Sequence, residues 1–222
     1  MPGRVRRYPA RQSNGRTVKY TVISEVSKLL RQTLWDGFDG DVDLTSGSNA
    51  PVPNIDAIVL RNPADAATDA GHRLSIWLYQ VQQNEYLRNQ PQERVPGDDT
   101  RQRFPPLSIN LFYLLTPFTG SDDSDQMVLG RSMQIFHDNA ILLLESAEEP
   151  GKGEELRIMM SHRDLRELAE VWEALQQPYR LSVCYEVRVP QIDSLRLEQA
   201  KRIGDRRFHF DEDVAGVQGV AP

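Results

Sequence analysis

The chain has 222 residues, a formal net charge of −6 and a single cysteine. Its length corresponds to one domain with or without tails, which is enough to bury a core without covalent staples. The lone cysteine excludes an internal disulfide, the acidic balance argues against a general nucleic-acid binder, and no apolar run approaches the ~20 residues of a membrane span.

The N-terminal end carries an uneven charge. Residues 1–19 contain six basic residues and no acidic one: Arg4, Arg6, Arg7, Arg11, Arg16 and Lys19. The segment is polar and aperiodic, and it lacks the apolar core of a secretory signal. It therefore predicts a flexible basic arm.

The first predicted element is a helix over residues 21–38. Its apolar residues recur every three or four positions and form one stripe: Ile23, Val26, Leu30, Leu34, Trp35 and Phe38. Residues 39–43 resemble the start of a calcium loop, but Leu44 stands where that loop needs glycine. A polar turn is the preferred interpretation, followed by a loop over residues 45–54.

Two strands are predicted before the middle of the chain, a short one over residues 55–60 and a longer one over residues 74–81. The longer stretch is rich in aromatic and branched residues. A loop is expected over residues 61–72. Residues 84–104 follow as a long polar segment, and so long a loop in a compact domain is either functional or without fixed structure.

Residues 105–117 contain the longest apolar run of the chain. Pro105 and Pro106 precede it and Pro117 closes it. One side of its two-residue repeat is fully apolar, and the other becomes apolar halfway along. This pattern predicts a central strand with a helix layer over at least one face.

The next predicted element is a helix over residues 124–138. Its stripe comprises Leu129, Met133, Phe136 and Ala140. The acidic run 120–125 before it could hold a metal, but an N-cap with charges that complement the helix dipole is preferred. Residues 140–144 are expected to continue the helix or pack beneath it, and residues 148–154 to form a turn.

The last third predicts a short strand over residues 156–160, a capping box at residues 161–164, an amphipathic helix and a strand over residues 181–189. One side of the final strand is polar and is expected to meet solvent or a partner: Ser182, Cys184, Glu186 and Arg188. The sequence thus predicts a single α+β domain over residues 20–192, with one mixed β-sheet and helices mainly on one face. A charged C-terminal tail, residues 193–222, follows.

The chain contains no recognisable catalytic constellation. Its four histidines are scattered without metal-ligand spacing, and Cys184 lies in mid-strand, where a small packed residue is the default interpretation. His137 beside Asp138 could form an acid–base pair, but a histidine near a helix end more often caps carbonyl groups. We therefore expect no enzymatic activity and no cofactor.

Five ordered stretches together resemble a known family. They are an opening helix over residues 22–34, a strand with Asn-x-x-Leu-Arg-Asn over residues 74–89, Pro-Pro-Leu with Tyr-Leu-Leu-Thr over residues 105–116, Leu-Gly-x-x-Met with His-Asp over residues 129–138, and the stretch 172–187. This set resembles the N-terminal domain family of the cap proteins of extracellular contractile injection systems. Photorhabdus virulence cassettes and antifeeding prophages typify these phage-tail-like particles.

The resemblance implies a phage tail-terminator-like fold and a structural role. Such proteins form a ring, usually hexameric, that closes the baseplate-distal end of the inner tube and sheath and stops their polymerisation. The implied partners are further copies of the chain, the sheath and the inner tube, with no nucleic acid and no membrane span. The implied location is the cytoplasm during assembly and then a particle that can be released.

Two other classes of function stay open at this point. One is a small-molecule or peptide-binding module that uses a pocket between the long polar segment and the sheet. The other is a hydrolase that uses Cys184 or His137.

Two charged segments are the predicted partner interface. Residues 84–104 mix arginines with acids, which can form complementary pairs with a neighbour. The tail places two phenylalanines two positions apart, so that it can add a strand to a partner's sheet edge, with the sheath as the expected partner. The predicted interface residues are Arg88, Arg94, Arg101, Arg103, Arg202, Arg206, Phe208 and Phe210.

Overall fold

The computed structural model describes residues 20–47, 49–95, 97–146, 149–194 and 196–199. Within these ranges the helices are α1 (Val22–Phe38), α2 (Val42–Thr45), α3 (Pro63–Ala66), α4 (Asp122–Asp138) and α5 (Leu165–Ala174), with a 3₁₀ turn at Ile55–Ala57. The strands are β1 (Ile58–Val59), β2 (Leu74–Gln83), β3 (Glu93–Val95), β4 (Asp98–Arg103), β5 (Leu107–Pro117), β6 (Ile141–Ser146), β7 (Glu149–Met160), β8 (Val183–Ile192) and β9 (Leu197–Gln199). None of the described helices is both long and apolar enough to cross a membrane.

Most strands belong to one mixed sheet with β5 near its centre. The strand order is β1-β2-β5-β8-β7-β6, with β1 parallel to β2 and the other pairs antiparallel. The α+β class and the mixed sheet are confirmed.

The central strand is buried as predicted. On one face, Ile109, Leu111, Tyr113 and Leu115 join the main hydrophobic core under α1 and α4. On the other, Leu114 packs with Cys184 under Trp172 of α5. Two of the three long helices therefore lie on one face and the third on the other.

The α1–α4 contact depends on a close approach at a glycine. A Cβ atom at Gly37 would lie 2.5 Å from the Ile135 side chain, so only glycine fits without a shift of α4. Gly37 lies inside the helix, and the left-handed turn that follows the helix falls at Gly40, with φ of +87°. The residues after it form α2, capped by Asp41, where a polar turn was predicted.

Residues 84–104 are not the uninterrupted loop that was predicted. Strands β3 and β4 form an antiparallel hairpin there, and β9 pairs with β4 to complete a second, three-stranded sheet. Polar side chains concealed these strands, because the hairpin has no apolar face to bury. Strand β9 lies at the start of the predicted charged tail and pairs within its own chain, whereas residues 200–222 lie outside the described residues.

Residues 140–154 were also predicted incorrectly. The expected helix extension and turn are strands, since β6 and β7 form a long antiparallel hairpin at the sheet edge. The continuous run Ile141–Leu144 has neither helical nor strand periodicity, which leaves the two structures indistinguishable in the sequence.

Three smaller expectations change. Residues 55–60 hold a 3₁₀ turn and a two-residue strand, and the loop 61–72 contains α3. The capping box belongs to Asp164 and Glu167, one turn later than expected. The predicted polar side of β8 does not meet solvent at Ser182, Cys184 and Glu186, which are all buried, because α5 and neighbouring polar side chains cover them.

The two sides of β5 should respond differently to truncation. Leu111→Ala removes fully buried methyl groups and is expected to lower the free energy of unfolding by about 2–5 kcal/mol. Ser108→Ala should cost far less, because the buried Ser108 hydroxyl has no hydrogen-bond partner. Chemical denaturation measures both values, and equal losses would contradict the assigned burial.

Buried phenols should make the fold sensitive to alkali. Burial raises the pKa of Tyr185 from 10.0 to about 12. The folded state therefore holds this proton more tightly, so its contribution to stability is complete below pH 10 and is lost as the pH rises towards 12. Tyr185→Phe should flatten the fall in unfolding free energy over this window, whereas Tyr86→Phe, at an exposed site, should leave it unchanged. Identical pH profiles for wild type and Tyr185→Phe would contradict the argument.

Candidate functional site

The side chains that suggested catalysis or metal binding are not arranged for either. Burial raises the pKa of the Cys184 thiol, and Cys184 accepts a 3.7 Å hydrogen bond from the Tyr79 hydroxyl. A nucleophilic cysteine needs the opposite shift. His137 and Asp138 are exposed on the last turn of α4. Among the described residues, no group of three or more His, Cys, Asp or Glu side chains could hold a metal ion.

Two cavities lie away from residues 84–104. One, of about 610 Å³, is lined by residues around His72, Arg73 and the start of α4. The other, of about 370 Å³, lies between α5 and β2, next to Tyr79 and Cys184. Neither has a wall from residues 84–104, which was the placement expected for a binding module.

The most distinctive feature lies on the sheet face that α5 packs against, in the part of that face that α5 leaves uncovered. Helix α5 covers the part of this face around Leu114 and Cys184. Next to the covered part, a row of polar side chains crosses β5 and β8. Asn110 donates to Glu186 at 2.8 Å, and Arg188 holds the same carboxylate through two bonds of 2.7 and 2.9 Å. Glu186 is only 8% exposed, so these bonds compensate for a nearly buried charge.

This polar row also anchors the start of the long segment. Asn84 is buried and donates to the Asn110 side chain at 3.0 Å. The side-chain oxygen of Asn84 accepts hydrogen bonds from the backbone N–H groups of Tyr86 and Leu87 at 3.0 and 3.1 Å. The bonds form an Asx-type turn, which gives a physical role to the asparagine that opens the Asn-x-x-Leu-Arg-Asn stretch.

The anchored turn presents an aromatic residue and an arginine to solvent. Tyr86 is 92% exposed, and Arg88 is exposed. The hydrogen bond to Glu186 raises the pKa of the Arg188 guanidinium, and the nearby Tyr86 adds to this shift. Exposed tyrosine and arginine side chains on a rigid base are typical of interface hot spots. Sequence reasoning named Arg88 but missed Tyr86, although its aromatic character in a polar segment was a usable signal.

The other predicted interface residues are spread over the second sheet. Arg94 and Arg101 are exposed, and Arg103 is partly exposed opposite Glu93 and Leu197 in the strand register. Arg101 lies 3.4 Å from Asp98 of its own strand, so part of its charge is satisfied within the chain. The structure thus places Arg94, Arg101 and Arg103 together on one small sheet. Arg202, Arg206, Phe208 and Phe210 lie outside the described residues.

A second surface was not anticipated. Strand β6 ends the six-stranded sheet, and its Ile141 and Leu143 are 59% and 50% exposed. Leu142 and Leu144 alternate with them and pack against the core. The edge therefore presents apolar side chains to solvent.

Comparison with known proteins assigns the family. Residues 25–204 match the family model of the Pvc16 N-terminal domain. The chain is similar to the "PVC sheath/tube terminator in extended state" of an extracellular contractile injection system, with 19% identity, a TM-score of 0.56, and coverage of 88% of this chain and 65% of that one.

A second solved structure shows a weaker likeness. It is the anti-feeding prophage cap (AFP tube terminating cap), with 20% identity, a TM-score of 0.41 and coverage of 61% of this chain and 48% of that one. No curated protein matches the chain. The chain spans just under two thirds of the terminator's length, and at this identity the likeness to the terminator establishes the fold.

Loss of the Asn84 anchor should release the turn. Asn84→Ala removes the acceptor of two backbone bonds and leaves buried polar groups without partners, which typically costs about 1–3 kcal/mol. The amide hydrogens of Tyr86 and Leu87 should exchange faster, as measured by NMR. Asn89→Ala, at an exposed site in the same segment, is the matched control. Unchanged exchange in Asn84→Ala would show that the turn forms without this side chain.

Proposed function

Because this chain belongs to the Pvc16 N-terminal domain family, we propose that it is a structural cap of a contractile injection particle. It closes the baseplate-distal end of the inner tube and sheath and stops their polymerisation. The observation that carries the proposal is the shared fold with a sheath/tube terminator over 88% of this chain. The activity is mechanical, and no bond is made or broken.

The surfaces of the domain support an assembly role. The anchored turn with Tyr86 and Arg88 and the apolar β6 edge with Ile141 and Leu143 are exposed on a well-packed core. By contrast, Cys184 is buried with a raised pKa, and His137 is exposed on the last turn of α4. These features favour partner binding over catalysis, so the protein is proposed not to be an enzyme.

The cap is proposed to act as a closed hexameric ring of identical subunits. A ring requires a heterologous interface, in which two different patches of the chain face each other. The ring assembles in the cytoplasm on a growing tube and sheath and then stays with the particle, including after release. Its partners are further copies of itself, the sheath and the inner tube.

The arginines of the second sheet and the anchored turn are proposed as partner contacts. Arg88, Arg94 and Arg103 have exposed or partly exposed side chains held by rigid strands or by the Asn84 turn. They suit acidic patches on a neighbouring subunit, tube or sheath, where charge complementarity sets orientation and association rate. Arg101 contributes less, because Asp98 already lies beside it.

The test is the length of tubes and sheaths assembled with and without this protein. Tube and sheath proteins of the same particle are polymerised together, and lengths are measured by electron microscopy. Adding the chain should shorten the assemblies and leave one closed end on each. Cys184→Ser and His137→Ala should cap as well as wild type. Unchanged lengths with wild type, or loss of capping in a folded Cys184→Ser or His137→Ala variant, would contradict the proposal.

Charge reversal on the proposed contacts should weaken capping without unfolding the domain. The triple change Arg88→Glu, Arg94→Glu and Arg103→Glu should return lengths towards the uncapped distribution, with an unchanged melting temperature. The control is Arg166→Glu on α5, an exposed arginine whose pair with Glu170 is local to the helix. Equal capping by the triple variant and the control would remove these arginines from the interface.

A further inference from the structure

The outer edge of β6 is an open binding site for a strand. The six-stranded sheet ends at β6, and no described strand lies beside it on that side. Backbone N–H and C=O groups on such an edge can form a ladder with another extended segment. The other end of the sheet offers only the two-residue β1, so β6 is the longer of the two edges.

Residues 141–144 of β6 lack the usual devices that block edge pairing, and the irregular register and the charge of this strand begin only at Glu145. Natural edge strands carry lysine, proline or inward-pointing charges that prevent association. Residues 141–144 are Ile-Leu-Leu-Leu, with Ile141 and Leu143 about half exposed on the α5-side face of the sheet. Met159 of β7 is partly exposed on the same face, next to the exposed Arg157–Glu155 ion pair that lies opposite Ile141 and Leu143. Such a surface on an assembly protein indicates an interface.

We propose that residues 206–210 of a second copy of this chain add to β6 as an antiparallel strand. Phe208 then lies opposite Leu143, and Phe210 lies opposite Ile141. The inference rests on the ring proposed above, and it names the two different patches that a heterologous interface needs: a sheet edge and a tail. It replaces the sheath with a neighbouring subunit as the acceptor of the tail.

The side chains of the tail complement those of the edge. In an extended segment, Phe208 and Phe210 project to one face, as Ile141 and Leu143 do on β6. Directly opposed residues in an antiparallel pair share a face, so this register stacks both phenylalanines against both exposed aliphatic residues. In the same register Arg206 is placed opposite position 145, a glutamate.

The net charges also favour this pairing. Residues 200–210 contain four basic residues and one acidic residue: Lys201, Arg202, Arg206 and Arg207, against Asp205. The far halves of β6 and β7 contain three glutamates and one lysine: Glu145, Glu149 and Glu154, against Lys152. The antiparallel direction sets the basic part of the tail beside this acidic part of the hairpin, whereas a parallel direction would separate them.

The length and exit point of the tail allow the contact. Strand β9 ends at Gln199, and 23 residues follow it. The nine steps from Gln199 to Phe208 span up to about 30 Å when extended, which is enough to cross to an adjacent subunit of a ring. In addition, the N–H of Gln191, near the end of β8, donates to Glu154 at 3.4 Å, so the acidic hairpin lies at the same end of the sheet as the strand that leads to the tail.

Disulfide trapping between two full-length chains tests the register. A tagged chain with Leu143→Cys is mixed with an untagged chain with Phe208→Cys under mild oxidation, and mixed dimers are quantified on non-reducing gels. Opposed residues in an antiparallel pair lie within disulfide distance. The expected yield of mixed dimer is several-fold above that from Leu142→Cys with Phe208→Cys. Leu142 is the matched control, because it projects to the other face of β6. Wild-type chains, which keep only the buried Cys184, give the background.

Three results would overturn the inference. One is a mixed-dimer yield no higher than that of the Leu142 control. A second is a disulfide that forms only within one chain when Leu143→Cys and Phe208→Cys are combined, which would place the tail on its own domain. The third is a chain truncated after Gln199 that self-associates as well as wild type, since this deletion removes the tail but keeps β9.

The outcome is separable from the test of capping. Trapped mixed dimers form from the isolated protein and support the strand exchange even if tube and sheath lengths do not change. Normal capping without trapped dimers would keep the cap and overturn the strand exchange.

Discussion

Strand β5 lies between β2 and β8 and is covered on both faces, so almost every backbone group along it must find its partner inside the chain. This constraint sets the rest of the architecture. The fully apolar side of β5 needs α1 and α4, which approach closely only because Gly37 leaves room for Ile135. The other side needs α5, whose Trp172 lies over Leu114.

Helix α5 covers only part of the second face, and the polar network beside it positions the exposed groups that are proposed to bind partners. Helix α5 has ten residues and covers the sheet around Leu114 and Cys184. Beyond α5, the nearly buried Glu186 carboxylate accepts hydrogen bonds from Arg188 and Asn110. That network also holds Asn84, which ties the turn with Tyr86 and Arg88 to the core. A rigid core thus supports exposed binding groups, as an assembly protein requires.

Elements with a clear period could be predicted from the sequence, whereas those stabilised by pairing could not. The α1 stripe and the alternation in β5 directly encode burial, and the structure confirms both. Strands β3 and β4 are polar, and β9 lies in a segment with the composition of a charged tail. These strands are stabilised by their mutual hydrogen bonds and by contacts such as Arg196 over the Phe104 ring, none of which shows as a periodic pattern. The aliphatic run of β6 fits helix and strand equally well. In the site, the arginines could be proposed from their charge. The Asn84 anchor could not be predicted, because it depends on a contact with Asn110, 26 residues away in the sequence.

The position of the protein on an assembled particle tests the central claim most directly. Particles that carry an epitope-tagged copy of this chain can be labelled with gold-conjugated antibody and imaged by electron microscopy. The cap assignment predicts label at one end of each particle, opposite the baseplate, in both extended and contracted particles. Label along the sheath or at the baseplate, or particles without label, would contradict it.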